Sequence, residues 1–234
     1  MHLNQLKMAE EIKNEPIIDV QEAYSKTEQY IEENKKSLSI IVGVIVALVG
    51  IYVAWKYWYV AGKEKDAQKE LFVSETYFEK DSLNKAINGD GQSLGLEGIV
   101  KDYGVTPSGN LAEYYLGIGY LKKGEYEKAL EHLKEFNAND QIVAPVAIGA
   151  IGDCYVELNN VEEGISYYLK AAEKSKNKFT APIYLKKAGM AYESMNNYKD
   201  AVKVYERIKT DYEKSTEGRE IEKYIARAKA LAGE

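Results

Sequence analysis

Residues able to do covalent, metal or proton chemistry are few in this chain. The one cysteine, Cys154, allows no intramolecular disulfide and no thiolate zinc cage, and two histidines, His2 and His132, are too few for a histidine metal site. Cys154 has no sequence reason to meet either histidine and is expected to pack as a small residue. His132 falls on the expected outer side of a helix, where a solvated imidazole is the default. Residues 86–97 imitate a calcium loop, with Asn88, Asp90, Gly91 and Glu97 at the third, fifth, sixth and twelfth positions. Ala86 takes the first position, where calcium needs an oxygen ligand, and Leu94 takes the ninth, so the stretch reads as a turn. No nucleotide-binding glycine loop, nucleophile elbow or paired metal-ligand spacing occurs elsewhere. The chain is therefore expected to have no catalytic residues, no metal and no cofactor, and what remains is binding.

The composition narrows the partners. Of 234 residues, 45% are hydrophobic, enough for a packed core; 31 basic against 37 acidic residues give a net charge of −6. No Lys/Arg run exceeds two, so the phosphate-neutralising surface of a nucleic-acid binder is not visible. Twenty tyrosines against four phenylalanines favour surfaces where a ring packs and its hydroxyl stays wet.

The elements that must position any binding surface begin with a membrane helix. Ser37 to Trp55 carries no charge, and Lys56 is the only charge before Lys63. Residues 37–62 would extend roughly 39 Å as a helix at about 1.5 Å per residue, enough for a hydrocarbon core of about 30 Å. Tyr52, Trp55, Tyr57, Trp58 and Tyr59 crowd its end as an aromatic belt, with Lys56 able to snorkel. The length of the run, the residues before it and Tyr59 near Gly62 argue against signal cleavage, so an uncleaved anchor is expected. Gly43, Ala47, Gly50 and Ala54 share one stripe, which either lets a second membrane helix approach or reflects the usual small residues of such helices. Lys26, Lys35 and Lys36 before the span balance Lys56, Lys63, Lys65 and Lys69 after it, leaving orientation open.

Residues 1–36 are read as an N-terminal segment. Val20, Ala23, Tyr24, Thr27, Tyr30 and Ile31 give it a narrow apolar stripe, for resting on the membrane or for docking a partner. Residues 63–109 form a connecting region: a helix continuing from the anchor, a break near Asp81, then glycine-dense turns around a short helix at about Gln92–Tyr103.

From Asn110 the chain repeats. Leu116-Gly117, Ile151-Gly152 and Ala188-Gly189 correspond, as do Tyr120, Tyr155 and Tyr192; Gly124, Asn159 and Asn196; Ala129, Gly164 and Ala201; and Leu133, Tyr168 and Tyr205. Offsets of 35 and 37 residues with these types resemble the tetratricopeptide repeat, a pair of antiparallel helices (A and B) that stacks into a solenoid. The glycine of helix A is expected to meet the alanine or glycine of helix B, and Gly or Asn to end helix A in a left-handed cap. Ser215 to Leu231 has the stripe of a solvating cap on the last repeat. The fold expected is all-α: one transmembrane helix, then three repeats and a capping helix over 110–234.

The repeat resemblance implies a concave groove lined by Leu111, Tyr114, Ile118, Leu121 and Lys122; by Val146, Gly149, Asp153, Val156 and Glu157; and by Ile183, Lys186, Met190, Glu193 and Ser194. Lacking a lysine-asparagine cluster, that set suits an extended or helical polypeptide better than a chain terminus, unless some of these residues pack against neighbouring helices or the C-terminal cap. Only Asp153 and Glu157 offer even a pair of acids for enzymatic work. Together, the anchor, YFEKDSLNKAINGDG, LAEYYLGIGYLKKGEYEKALEHL and YIARAKA resemble membrane-anchored tetratricopeptide proteins of Gram-negative envelopes, the YfgM-type ancillary subunits of the Sec translocon. The resemblance implies a single pass through the inner membrane, a periplasmic C-terminal domain, and partners among translocon subunits, periplasmic chaperones and exported polypeptides. A scaffold for division or peptidoglycan machinery would share the architecture.

Overall fold

A computed structural model describes residues 20–233, with side chains described from residue 28 onward. The segment before Val20 and the stripe side chains of Val20, Ala23, Tyr24 and Thr27 lie outside the described residues. Tyr30 and Ile31 are exposed. The chain divides into two units, Met1–Trp58 and Tyr59–Glu234.

The first unit contains helix α1 (Val20–Ala54), and Trp55–Val60 then winds as a wider π-helix. Every side chain from Ser39 to Tyr59 is exposed, although only Lys56 among them is charged. The helical stretch Glu28–Glu79 is long and apolar enough to cross a membrane. Nothing lies within 4 Å of a Cβ added at Gly43 or Gly50.

The second unit is a run of helical hairpins. It comprises α2 (Ala61–Glu79), α3 (Leu83–Asn88), α4 (Gly95–Tyr103), α5 (Pro107–Lys123), α6 (Tyr126–Glu135), α7 (Val143–Glu157), α8 (Val161–Ser175), α9 (Ala181–Ser194), α10 (Tyr198–Asp211) and α11 (Thr216–Ala232). Each A helix stops in the same way. Gly124, Asn159 and Asn196 adopt φ of 76°, 62° and 58°, the left-handed region that Gly and Asn tolerate best. The next amides, of Glu125, Asn160 and Asn197, donate back to the carbonyls of Tyr120, Tyr155 and Tyr192 at 2.8–2.9 Å. These bonds tie the chain back to the last turn of each A helix, and the chain reverses.

The same reversal occurs once more, where the sequence reading had only a break. Asp81 has φ of 54°, and the Ser82 amide donates to the Tyr77 carbonyl at 2.9 Å. Ser74, Tyr77, Asp81 and Ala86 then correspond to Gly117, Tyr120, Gly124 and Ala129, making α2 and α3 a fourth, shortened hairpin. Helix α4 begins at Gly95 rather than Gln92, because Asp90 Oδ1 accepts the Gln92 and Ser93 amides and holds a turn there. Leu96 and Ile99 of α4 join Leu71, Ile87, Ala112 and Leu116 in one core, so residues 63–109 are a packed element of the solenoid. A second core runs from Ile165 to Ala228 and takes in the last repeat and α11.

In the packing of A on B, the glycine of each A helix meets a large residue of helix B. A Cβ at Gly117 would collide with Leu133, and one at Gly189 with the Tyr205 ring. At Gly152 it would lie 2.7 Å from the Tyr168 ring and 3.1 Å from the Gly164 carbonyl. The A-helix glycine is thus a socket for the large B-helix residue four positions beyond the small one, and only the second repeat also brings glycine to glycine. The socket leaves no room for a side chain. Gly152→Leu should therefore overpack this contact and cost about 1–3 kcal/mol or more. Thermal unfolding of the full chain in detergent checks this, and an unchanged midpoint would contradict the socket.

Candidate functional site

The residues that the repeat pattern assigns to binding lie on α5, α7 and α9, and several of them have a definite neighbour. Asp153, on α7, is the centre of a network. It accepts the Tyr168 hydroxyl at 2.6 Å, and both its oxygens lie 2.7 Å from Lys187 Nζ on α9. The Lys187 ammonium also sits over the rings of Tyr168 and Tyr184, which stack with centroids 6.4 Å apart. A Cβ at Gly149 would collide with the Tyr184 ring, so the absence of a side chain there admits the ring. Burial raises the Tyr168 hydroxyl well above its ordinary range, and the bond to the Asp153 carboxylate adds to it. Burial raises Tyr184 too, with the Asp153 charge second. These hydroxyls stay neutral, and the carboxylate and ammonium neutralise each other across two repeats.

Glu157, one turn along α7, points elsewhere: it is exposed and accepts the Tyr126 hydroxyl at 3.2 Å. The one pair of acids therefore diverges, towards the following repeat and the preceding one, and does not frame a reacting bond. Tyr114 is half-buried between Tyr115 and Phe136, at centroid distances of 5.6 and 5.3 Å, and Tyr115 meets Phe78 of α2 at 5.3 Å. These rings form an aromatic strip across α2, α5 and the end of α6. Ile118 packs against the first core.

In the third repeat the capping helix takes part of the face. Arg227 of α11 binds Glu193 through two nitrogens, at 2.5 and 3.3 Å, and Lys186 Nζ lies 4.7 Å from the Tyr224 ring centroid. Met190 remains exposed, as does Ile183. Of the seven residues singled out for the groove, Met190 and Glu157 face solvent, Tyr114 and Ile118 are half-buried in aromatic and aliphatic contacts, and Asp153, Lys186 and Glu193 are engaged by the chain itself.

Two further residues can be placed. Cys154 is buried, and burial pushes its thiol up to about 12, with Asp153 contributing, so it packs and does not react. His132 corrects the expectation of a solvated ring: it stacks on Tyr120 with centroids 5.5 Å apart, and its Nδ1 lies 2.7 Å from Glu113 Oε2. The side of α6 that seemed outward faces α5. The sequence reading missed Lys187, Tyr168 and Tyr184 as members of the inner-face network. The usable signal was spacing, since Asp153 to Lys187 and Glu193 to Arg227 are both pairs of opposite charge 34 residues apart. Asp153→Ala, which strands the Tyr168 hydroxyl and Lys187, should cost roughly 1–3 kcal/mol in denaturant unfolding, and Asp153→Asn, which keeps an acceptor, should cost less. Equal, negligible losses would mean that the network carries no weight.

Tetratricopeptide-repeat family models match residues 147–177 and 186–215, the second and third hairpins. Solved structures of nearly identical TPR-like repeats, from a Podosopora anserina chain described as a kinesin light chain and from a variant of it, are similar over 73% of this chain and 88% of theirs. Each has a TM-score of 0.56 at 14% identity, a likeness of fold. No curated protein sequence matches the chain. Matched motifs, hairpin geometry and structural likeness agree that the second unit is a tetratricopeptide-repeat solenoid, a fold that serves as a scaffold for protein–protein interaction.

Proposed function

We propose that this protein is a membrane-anchored adaptor: α1 and the aromatic turn after it hold the chain in a bilayer, and the solenoid binds polypeptide partners along the inner faces of its A helices. The observation that carries this reading is the exposure of every side chain from Ser39 to Tyr59 in a helical stretch long enough to span. An uninterrupted apolar surface of that length is stable in lipid and not in water. The open positions on the inner face, Met190 and Ile183 beside the partly open Tyr114 strip, suit a partner that offers apolar side chains from an extended or helical segment. By its resemblance to the YfgM-type subunits, the solenoid lies in the periplasm of a Gram-negative cell and passes exported polypeptides from the Sec translocon to chaperones. The stripe of Gly43, Ala47, Gly50 and Ala54 is the face on which a membrane subunit approaches.

Three experiments test this reading. Protease added to spheroplasts should digest residues 63–234, and a protected solenoid would overturn the periplasmic assignment. A photo-crosslinker at Met190 should capture translocon subunits or exported chains, while one at Lys170, on a B helix, should not. Equal capture from both positions would remove the inner face from the account, and recovery of division or peptidoglycan enzymes alone would replace the translocon as partner. Gly43→Leu with Gly50→Leu should leave insertion intact and abolish copurification with the membrane complex; retained copurification would move the contact off the stripe.

A further inference from the structure

The two hydrophobic cores of the solenoid part at one place. Leu133 and Ile151 belong to the first core, while Ile148, on the same helix as Ile151, packs against the second. Beside them a cleft of about 270 Å³ is open. Its walls include Leu133 of α6, Phe136 just after that helix, Ala147, Ile148 and Ile151 of α7, and Tyr167 of α8. Protein interiors hold few gaps larger than a water molecule, so an apolar opening of this size is uncommon. An apolar cavity of about 150 Å³ takes up benzene, and on that scale the 270 Å³ cleft has room for roughly ten carbon atoms.

The cleft lies behind the inner face. At about 100° per residue, Ala147 and Ile151 fall on the opposite side of α7 from Gly149 and Asp153. One wall is a fixed connector. Residues 136–142, between α6 and α7, supply Phe136, Asn137 and Ala138 to the lining. The Asn137 backbone exchanges two hydrogen bonds of 2.9 Å with the Asn110 side chain, and the Gln141 carbonyl accepts from Asn177 at 2.7 Å. Asp140 accepts the amides of Ile142, Val143 and Ala144. Tied at both ends, the connector stands as a wall and does not collapse into the cleft.

The cations around the cleft have neutral partners. Lys134 lines it, and its Nζ donates to the Tyr155 hydroxyl at 2.9 Å while lying 5.2 Å from that ring's centroid. Tyr155 stacks on Tyr167 at 5.3 Å, and Lys170 Nζ lies over the Tyr167 ring at 4.4 Å. Elsewhere on the solenoid lysines meet carboxylates, as Lys122 does Asp81, Lys187 does Asp153 and Lys209 does Glu222. The bond to the Tyr155 hydroxyl holds Lys134 above the ordinary lysine range, so its ammonium is charged at neutral pH. Glu163 of α8 acts on that charge through space, without a hydrogen bond. Among the described residues Lys134 makes this one hydrogen bond, which leaves two of its three donors unspent.

We propose that the cleft binds a medium-chain carboxylate of about eight to ten carbons, its alkyl chain against Leu133, Ile148 and Ile151 and its carboxylate on Lys134. An ammonium with two donors to give matches the two oxygens of a monoanion. A phosphate dianion would need more donors than Lys134 has left, and a neutral guest would leave the ammonium without a counter-charge. Lys170, above a wall ring, adds positive potential near the head.

The test uses the full chain in lipid nanodiscs and a ten-carbon carboxylate with a diazirine at mid-chain, the labelled residues being located by mass spectrometry of the digest. Partition of the probe into lipid is common to every sample, so ratios between variants read the cleft. The expected result is labelling within residues 133–151 and at Tyr167, displaced by unlabelled decanoate. Lys134→Glu should cut this labelling by about tenfold or more, the ratio for one hydrogen bond to a charged group, and should raise labelling by the matching ten-carbon ammonium probe. Lys134 is exposed, so this variant keeps the packing that the cleft-filling Ala147→Phe disturbs; the latter should abolish labelling by both probes. No labelling of these segments, or equal labelling of wild type and Lys134→Glu by the carboxylate probe, overturns the proposal. Labelling by a ten-carbon alcohol probe as strong as that by the carboxylate overturns the carboxylate as ligand.

Discussion

The solenoid depends on one constraint: two helices must lie close enough for a B-helix side chain to enter the backbone groove of its A helix. Gly117, Gly152 and Gly189 make that possible, with Leu133, Tyr168 and Tyr205 as the inserted groups. Close packing then does the rest, because a filled socket excludes water and fixes the angle of the hairpin. The left-handed reversals at Gly124, Asn159 and Asn196 deliver helix B to the socket in register. Stability and geometry are therefore local to each hairpin, and the stack adds contacts between neighbours, as expected of a quasi-one-dimensional fold.

Those contacts between neighbours determine what the inner face can offer. The bonds of Asp153 to Tyr168 and Lys187 tie the second repeat to the third, and the bond of Glu193 to Arg227 ties the third to the cap. Charges that a peptide partner could have used are spent on holding the curvature. Met190, Ile183 and Glu157 stay exposed, with Tyr114 half-buried. At the cleft behind α7 the pattern differs, because Lys134 bonds the neutral Tyr155 hydroxyl and Lys170 lies over the Tyr167 ring.

Much of this was legible in the residues, because the signals were local. A left-handed cap announces itself as Gly or Asn at a fixed place, and an uncharged run of nineteen residues needs no tertiary context. The hairpin of α2 and α3 was hidden because α4 is inserted after it, stretching the spacing to 43 residues from Ser74 to Gly117, and because Asp81 takes the cap position where Gly or Asn was sought. His132 was misplaced because facing α5 is a property of the hairpin's crossing and not of one helix. The partners of Asp153 and Glu193 lie a full repeat away, beyond the reach of any periodicity within one helix.

Hydrogen exchange on the full chain in lipid nanodiscs tests the central claim most directly. A bilayer-spanning helix has every amide bonded internally and shielded from water, while the reversal amides are locked by tertiary packing. The account predicts that residues 39–59 stay protected longest, and that the Ser82 amide is protected together with those of Glu125, Asn160 and Asn197. Exchange of residues 39–59 at the rate of a water-exposed helix would contradict the anchored solenoid.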